Sequence, residues 1–267
     1  MNLAFQQSCY LFSRSASAAA SPTIGDVRAL NKLVRKIRAE IVTLRFWPLQ
    51  TTSLRFVGYP DVAFRNNSDK SSQRGQTIFM AEARQKGVIN AKGSLIDYES
   101  QKIKRTVLST TVSELYAFMK CFGTCLFLRG LWMDMTGTIA EIHMRTDAKN
   151  LVSTAQTIHI PAQKETIHMI QMLRHEAVSG HMDDLAHVVS VDMMADVLTK
   201  ADCVSGLKAL TEADTLLVFS SIFVIFTFNF CPMVTKSDGF FTLPWLKSET
   251  CRSASIPLIS KNIPQSV

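Results

Sequence analysis

No Cys-x-x-Cys pair and no regular cysteine spacing occurs in this chain. Its six cysteines, at 9, 121, 125, 203, 231 and 251, offer neither a disulfide framework nor a tetrahedral zinc site, and imply reduced thiols in a cytosolic or nuclear setting. Cys121 and Cys125 stand four apart on one helical face, but no His or Cys nearby completes four ligands, so they read as core. The six histidines lack a His-Glu-x-x-His pair, which excludes the zinc-protease pattern. Acidic residues are absent before Asp26, where the small, polar Ser13–Ser21 stretch cannot bury enough surface to order itself. Residues 1–25 are therefore expected to be a disordered tail, with a transit peptide as the alternative.

A chain of 267 residues, 47% hydrophobic, suffices for one core with extensions. Its net charge of +7 suits a polyanionic partner, although the same balance is common on proteins that bind no nucleic acid. Over residues 26–53, Val27, Leu30, Leu33, Val34, Ile37 and Ile41 recur at helical spacing, with Lys32, Arg35, Lys36 and Arg38 between them. Such a basic helix can lie along a phosphate backbone or simply pack on a domain edge.

Leu54–Phe64 reads as an apolar strand carrying one carboxylate, Asp61, and an acid planted there is costly unless a metal or a donor meets it. Three further acids stand on separate elements. Glu114 opens a helix with an apolar stripe of Leu115, Phe118, Met119 and Phe122. Its place in Thr111-Val-Ser-Glu114 also fits a capping box, a structural role. Asp147 ends the strand that begins at Ile139, where an open sheet places ligand groups. Asp196 lies in a closing helix expected over 191–200. Gly123-Thr124 reads as a break between two helices, and Lys102, Lys104 and Arg105 form a basic run able to meet phosphates or water.

Six blocks then occur in order: Gly58-Tyr-Pro-Asp61, Ser72-Gln-Arg-Gly75, Ser100-Gln-Lys-Ile-Lys-Arg105, Ser109-Thr-Thr-x-x-Glu114, Thr146-Asp147 and Ala195-Asp-Val-Leu-Thr-Lys200. With these blocks the chain resembles, from about Asp26 to Ala201, the ribonuclease H domain at the end of the polymerase polyprotein of copia-type retrotransposons. The resemblance implies an α/β fold with a mixed sheet, three antiparallel strands plus two parallel ones, flanked by helices over residues 54–201. It implies cleavage of the RNA strand of an RNA–DNA hybrid by two Mg²⁺ ions, with Mn²⁺ possible in their place. Asp61, Glu114, Asp147 and Asp196 would be the catalytic metal ligands, unaccompanied by any compensating base. Lys102, Lys104 and Arg105 would contact nucleic acid, and a reverse transcriptase region of the polyprotein would be a partner. Some ribonucleases H use a mobile His near the last Asp, for which His181 is the nearest loop candidate.

The sequence departs from the pattern at Tyr98, where relatives carry Trp, and at Pro60, which cannot donate to a ladder and is out of place in a central strand. Pro60 either forces a bulge that turns Asp61 away or sets its missing N–H toward an unpaired stretch. With no reverse transcriptase ahead of the domain, a catalytically decayed remnant that at most binds nucleic acid is the alternative expectation. Residues 202–267 read as an unrelated tail whose uncharged segment 215–235 is long enough to cross a bilayer, so a tail-anchored membrane protein is a second alternative.

Overall fold

Alternation along β1 (Leu54–Ala63) decides the layering, because successive side chains point to opposite faces. Leu54 and Phe56 enter a large cluster under α3 (Thr110–Thr136), whereas Val57 and Tyr59 enter a second cluster on the other face. A Cβ on Gly58 would lie 2.9 Å from Cys121 Sγ and 3.1 Å from Cys125 Sγ, so α3 crosses β1 at this glycine, closer than a side chain allows. The computed structural model describes residues 3–39, 46, 48–49, 53–67, 69–82, 90–91, 93–157, 164–200 and 216–217.

The remaining elements are α1 (Leu3–Ser17), α2 (Ile24–Ala39), β2 (Gln73–Glu82), β3 (Asn90–Ala91), β4 (Gly93–Lys102), β5 (Glu141–Thr146), α4 (Lys149–Gln156), α5 (Lys164–Val178), β6 (Asp184–His187) and β7 (Leu216–Leu217). Five strands form one sheet in the order β4-β2-β1-β5-β6; β4, β2 and β1 are antiparallel, while β5 and β6 run parallel to β1. This is the mixed sheet that the resemblance implies. β3 and β7 make a separate two-residue pairing.

On the helical face, Leu115, Phe118 and Phe122 of α3 and Leu173 of α5 pack on Ile78, Ile142 and Met144. On the other, Tyr59 and Phe79 meet edge to face at 5.8 Å and are covered by Val188, Met193, Met194 and Ala195.

Several expectations are corrected. Residues 3–17 are helical, not a disordered tail: Tyr10 of α1 is buried, and Gln73 Nε2 donates to Ser13 Oγ at 3.0 Å, so α1 gains from docking what its composition cannot supply alone. α3 runs through Gly123 unbroken. That glycine is exposed, and the penalty of about 1 kcal/mol for Gly in a helix is outweighed by buried Phe118, Cys121, Phe122 and Cys125 around it. α3 ends at Gly137, whose φ of 70° is the left-handed cap that glycine provides. Its N-cap is Ser109, accepting from Val112 N, so Glu114 sits in the second turn and the capping-box reading of Thr111 is wrong.

The block Ser72–Gly75 opens β2, which begins at Gln73. The closing helix is absent. Two 3-10 turns, Ser190–Asp192 and Asp196–Leu198, take its place, because Met193, Met194, Ala195, Val197 and Leu198 are all buried and no single helix face could bury them together.

At Pro60 the β1–β2 register continues without interruption through Pro60↔Gln76 and Asp61↔Gly75, so there is no bulge. Pairing with β5 has ended at Gly58↔Met144, so Pro60 has no ladder partner on that side. Among the described residues no helix is long and apolar enough to cross a membrane. The candidate span 215–235 lies outside them, apart from the two residues of β7.

Candidate metal centre

β1 and β5 carry Asp61 and Asp147 to the same end of the sheet, since the strands are parallel and Asp147 follows the last residue of β5. The turn Asp196–Leu198 closes over this end from the face of Tyr59. One carboxylate oxygen from each of Asp61, Asp147 and Asp196 lies within 4.8 Å of the other two. Asp61 and Asp196 are buried, at 7% and 5% exposure, and Asp147 is half-buried.

Each carboxylate is held. Thr199 Oγ1 donates to Asp61 Oδ2, Ser190 Oγ donates to Asp147 Oδ2 at 3.2 Å, and Lys200 Nζ pairs with Asp196 Oδ1 at 2.7 Å. Burial pushes the Asp61 carboxyl up to about 7; the charge of Asp196 adds to this, while Lys200 and the Thr199 hydroxyl oppose it. Burial alone would lower Lys200, yet the charges of Asp61 and Asp196 outweigh it and hold the ammonium above its ordinary range. The expectation of acids without a compensating base is thus corrected. Lys200 lies in the block Ala195–Lys200, and its i, i+4 spacing from Asp196 is the sequence signal for this pairing.

Glu114 is not brought into this group. Residues 57, 59 and 61 share one face of β1 and α3 packs on the other, so Asp61 and Glu114 start from opposite sides of the sheet. Burial raises the Glu114 carboxyl, and the charge of Asp147 raises it further.

His181 is also misplaced by the sequence reading. Its neighbour Asp183 donates its N–H to Ile142 O near the start of β5, the end opposite Asp147, and His181 Nδ1 contacts Glu176 Oε2 at 2.7 Å. Among the described residues, His187, paired with Thr146, is the histidine at the acidic end. Of the basic run, Lys102 pairs with Asp69, Arg105 lies 5.9 Å over the Tyr116 ring, and Lys104 is exposed.

The donor set suits a hard divalent cation. Three carboxylates bring oxygens only, and the raised Asp61 is an anion short of positive charge, which a bound ion supplies.

No family model matches the chain, and no curated protein matches it. Among solved structures it is similar to an RNase H1 isolated from compost by a metagenomic approach, at 17% identity and a TM-score of 0.40, covering 58% of this chain and 98% of that one. A second structure of that type, an RNase H1 in complex with an RNA/DNA hybrid, aligns at 17% identity and a TM-score of 0.38 over 54% of this chain and 94% of the other. RNase H1 from the halophilic archaeon Halobacterium salinarum aligns at 17% identity and a TM-score of 0.38, over 60% and 99%.

Proposed function

We propose that this chain is a retrotransposon-derived ribonuclease that hydrolyses the RNA strand of an RNA–DNA hybrid, acting in the cytosol or nucleus. The observation that carries the reading is the convergence of Asp61, Asp147 and Asp196 on one sheet end, in the order and blocks that the sequence resemblance anticipated.

Asp61, Asp147 and Asp196 would hold divalent cations, Mg²⁺ or Mn²⁺, while Glu114, the fourth ligand that the resemblance implies, lies outside their group. When bound, such ions lower the pKa of a water for attack on a phosphodiester and stabilise the leaving 3′ oxygen. The chain's own part is positional. The Thr199 hydroxyl orients Asp61, and the Ser190 hydroxyl orients Asp147. Lys200 offsets the charge of Asp196 before metal enters. Asp61 faces the cluster from an unbulged strand, which removes the steric case for a decayed site.

The test is cleavage of an end-labelled RNA–DNA hybrid by the full chain with Mg²⁺ and with EDTA. Cleavage of the RNA strand only when Mg²⁺ is present supports the proposal. Binding without cleavage, with Mg²⁺ or Mn²⁺, would assign the chain to the remnant that merely binds nucleic acid.

A further inference from the structure

Beyond the acid cluster, a cleft of about 850 Å³ lies between α1, α2 and the β1–β2 turn. Its walls carry four cations, Arg14, Lys32, Lys36 and Lys102, against two acids, Asp26 and Asp69. Both acids are already engaged locally. Asp26 accepts from Thr23 N at 2.9 Å and Thr23 Oγ1 at 2.6 Å at the start of α2, and Asp69 is paired with Lys102 and accepts from Ser71. The walls therefore present net positive charge.

The cleft is coupled to the acid cluster through one turn. Asn66 Nδ2 of the β1–β2 turn donates to Thr199 O at 3.4 Å, and Thr199 donates to Asp61. From the other side, Ser100 Oγ near the end of β4 donates to Leu198 O at 2.5 Å, and α1 is tied to β2 through Ser13. These bonds join the elements around the cleft to the turn that carries Asp196, so one polyanion spanning both would follow this path.

α2 is built to line such a path. Leu33 anchors it at 5% exposure, while Lys32 and Lys36 are exposed one turn apart. That is about 6 Å of helix rise, so the two ammonium groups can meet separate phosphates of one nucleic-acid strand.

We infer that the α1–α2 hairpin is a nucleic-acid grip, in which Lys32, Lys36 and Arg14 hold the phosphate backbone of the hybrid outside the cleavage point. The inference rests on the proposed function and extends it to a segment ahead of the sheet. Its readout is electrostatic: each neutralised phosphate contributes about −0.9 to the slope of log affinity against log salt.

The experiment measures binding of the full chain to a labelled RNA–DNA hybrid in EDTA across a salt series. Three proteins are compared: the natural chain, Lys32→Gln/Lys36→Gln, and Arg35→Gln/Arg38→Gln, whose equal charge change falls on α2 residues that do not line the cleft. Circular dichroism confirms that all three are folded. The grip predicts that the first variant binds roughly tenfold more weakly at low salt with a slope shallower by about two, while the second stays near the natural chain. Equal losses in both variants would reduce the effect to net charge and overturn the inference, as would an unchanged slope in the first. Hybrid cleavage by the natural chain is scored in parallel with Mg²⁺. Cleavage with an unchanged Lys32/Lys36 slope rejects the grip alone, whereas a changed slope without any cleavage rejects the nuclease reading and leaves the grip standing.

Discussion

Replacing Asp61 by Asn should make the metal-free protein more stable at pH 8, although it removes a ligand. In the natural protein burial holds the Asp61 carboxyl at about 7, against 3.8 ordinarily, so the folded state keeps a proton that the unfolded chain releases near pH 4. With its folded value raised, Asp61 makes folding progressively less favourable as pH rises from about 4 through 7, and the penalty levels off above that. A gap of about three pH units at about 1.4 kcal/mol each sets a ceiling of ~4 kcal/mol. Between pH 5 and pH 8 the part that develops is roughly 2–3 kcal/mol. Asn retains an acceptor for Thr199 and carries no charge, so the variant escapes this penalty. Urea denaturation in EDTA, at both pH values, gives the difference in stability directly. Mg²⁺ at a hundredfold excess over Kd should narrow the gap at pH 8, because it binds the anionic cluster of the natural folded state and adds about 2.7 kcal/mol, most of the ~4 kcal/mol penalty. A difference between the two proteins that stays constant from pH 5 to pH 8 would refute the reasoning, since it would mean that Asp61 carries no buried charge.

Gly75→Ala should destabilise the fold by about 1–3 kcal/mol and weaken metal binding together, because its Cβ would stand 2.8 Å from Thr199 Cγ2 and 2.9 Å from Leu198 Cβ, pushing the turn that presents Asp196; urea midpoints and Mg²⁺ titration check both. Lys200→Met should lower metal-free stability yet reduce the Mg²⁺ concentration at half-saturation severalfold, as the cation paired with Asp196 no longer repels the ion; a raised half-saturation would contradict this. Pro60→Ser should leave hybrid turnover within about twofold, since the β1–β2 register is already intact there; a large gain would mean that the proline does disturb Asp61.

The parts of the fold legible in the sequence were those where one side of an element is buried and the other is not. β1 and β5 announce themselves by apolar runs closed by turn residues, and Asp147 by its place at a strand end. Parity along β1 was equally available, and it explains why Asp61 joins Asp196 and not Glu114. Burial on all sides was not legible. The stretch Met193–Leu198 has helix-like composition, but it is wedged between the sheet and α1, so neither helical period nor cap residues decided its form. α1 failed for the opposite reason. Its own composition buries little, and its order derives from contacts with α2, β4 and the turn carrying Leu198, none of which a local window reveals. The Ser109 cap was misassigned because Ser109, Thr110 and Thr111 are consecutive and each can cap.

The proposed metal-dependent cleavage of RNA–DNA hybrids rests on the three converging carboxylates, and Asp147→Asn tests it most directly. Asp147 is half-buried at the end of β5 and makes no ladder contact, so its replacement should leave the fold intact. The variant, assayed beside the natural protein with the same labelled hybrid and Mg²⁺, should bind the hybrid as tightly or more tightly and cleave at least a hundredfold more slowly, a loss of about 2.7 kcal/mol or more in transition-state stabilisation. Turnover near that of the natural protein would contradict the account, because the acid cluster would then have no part in the reaction.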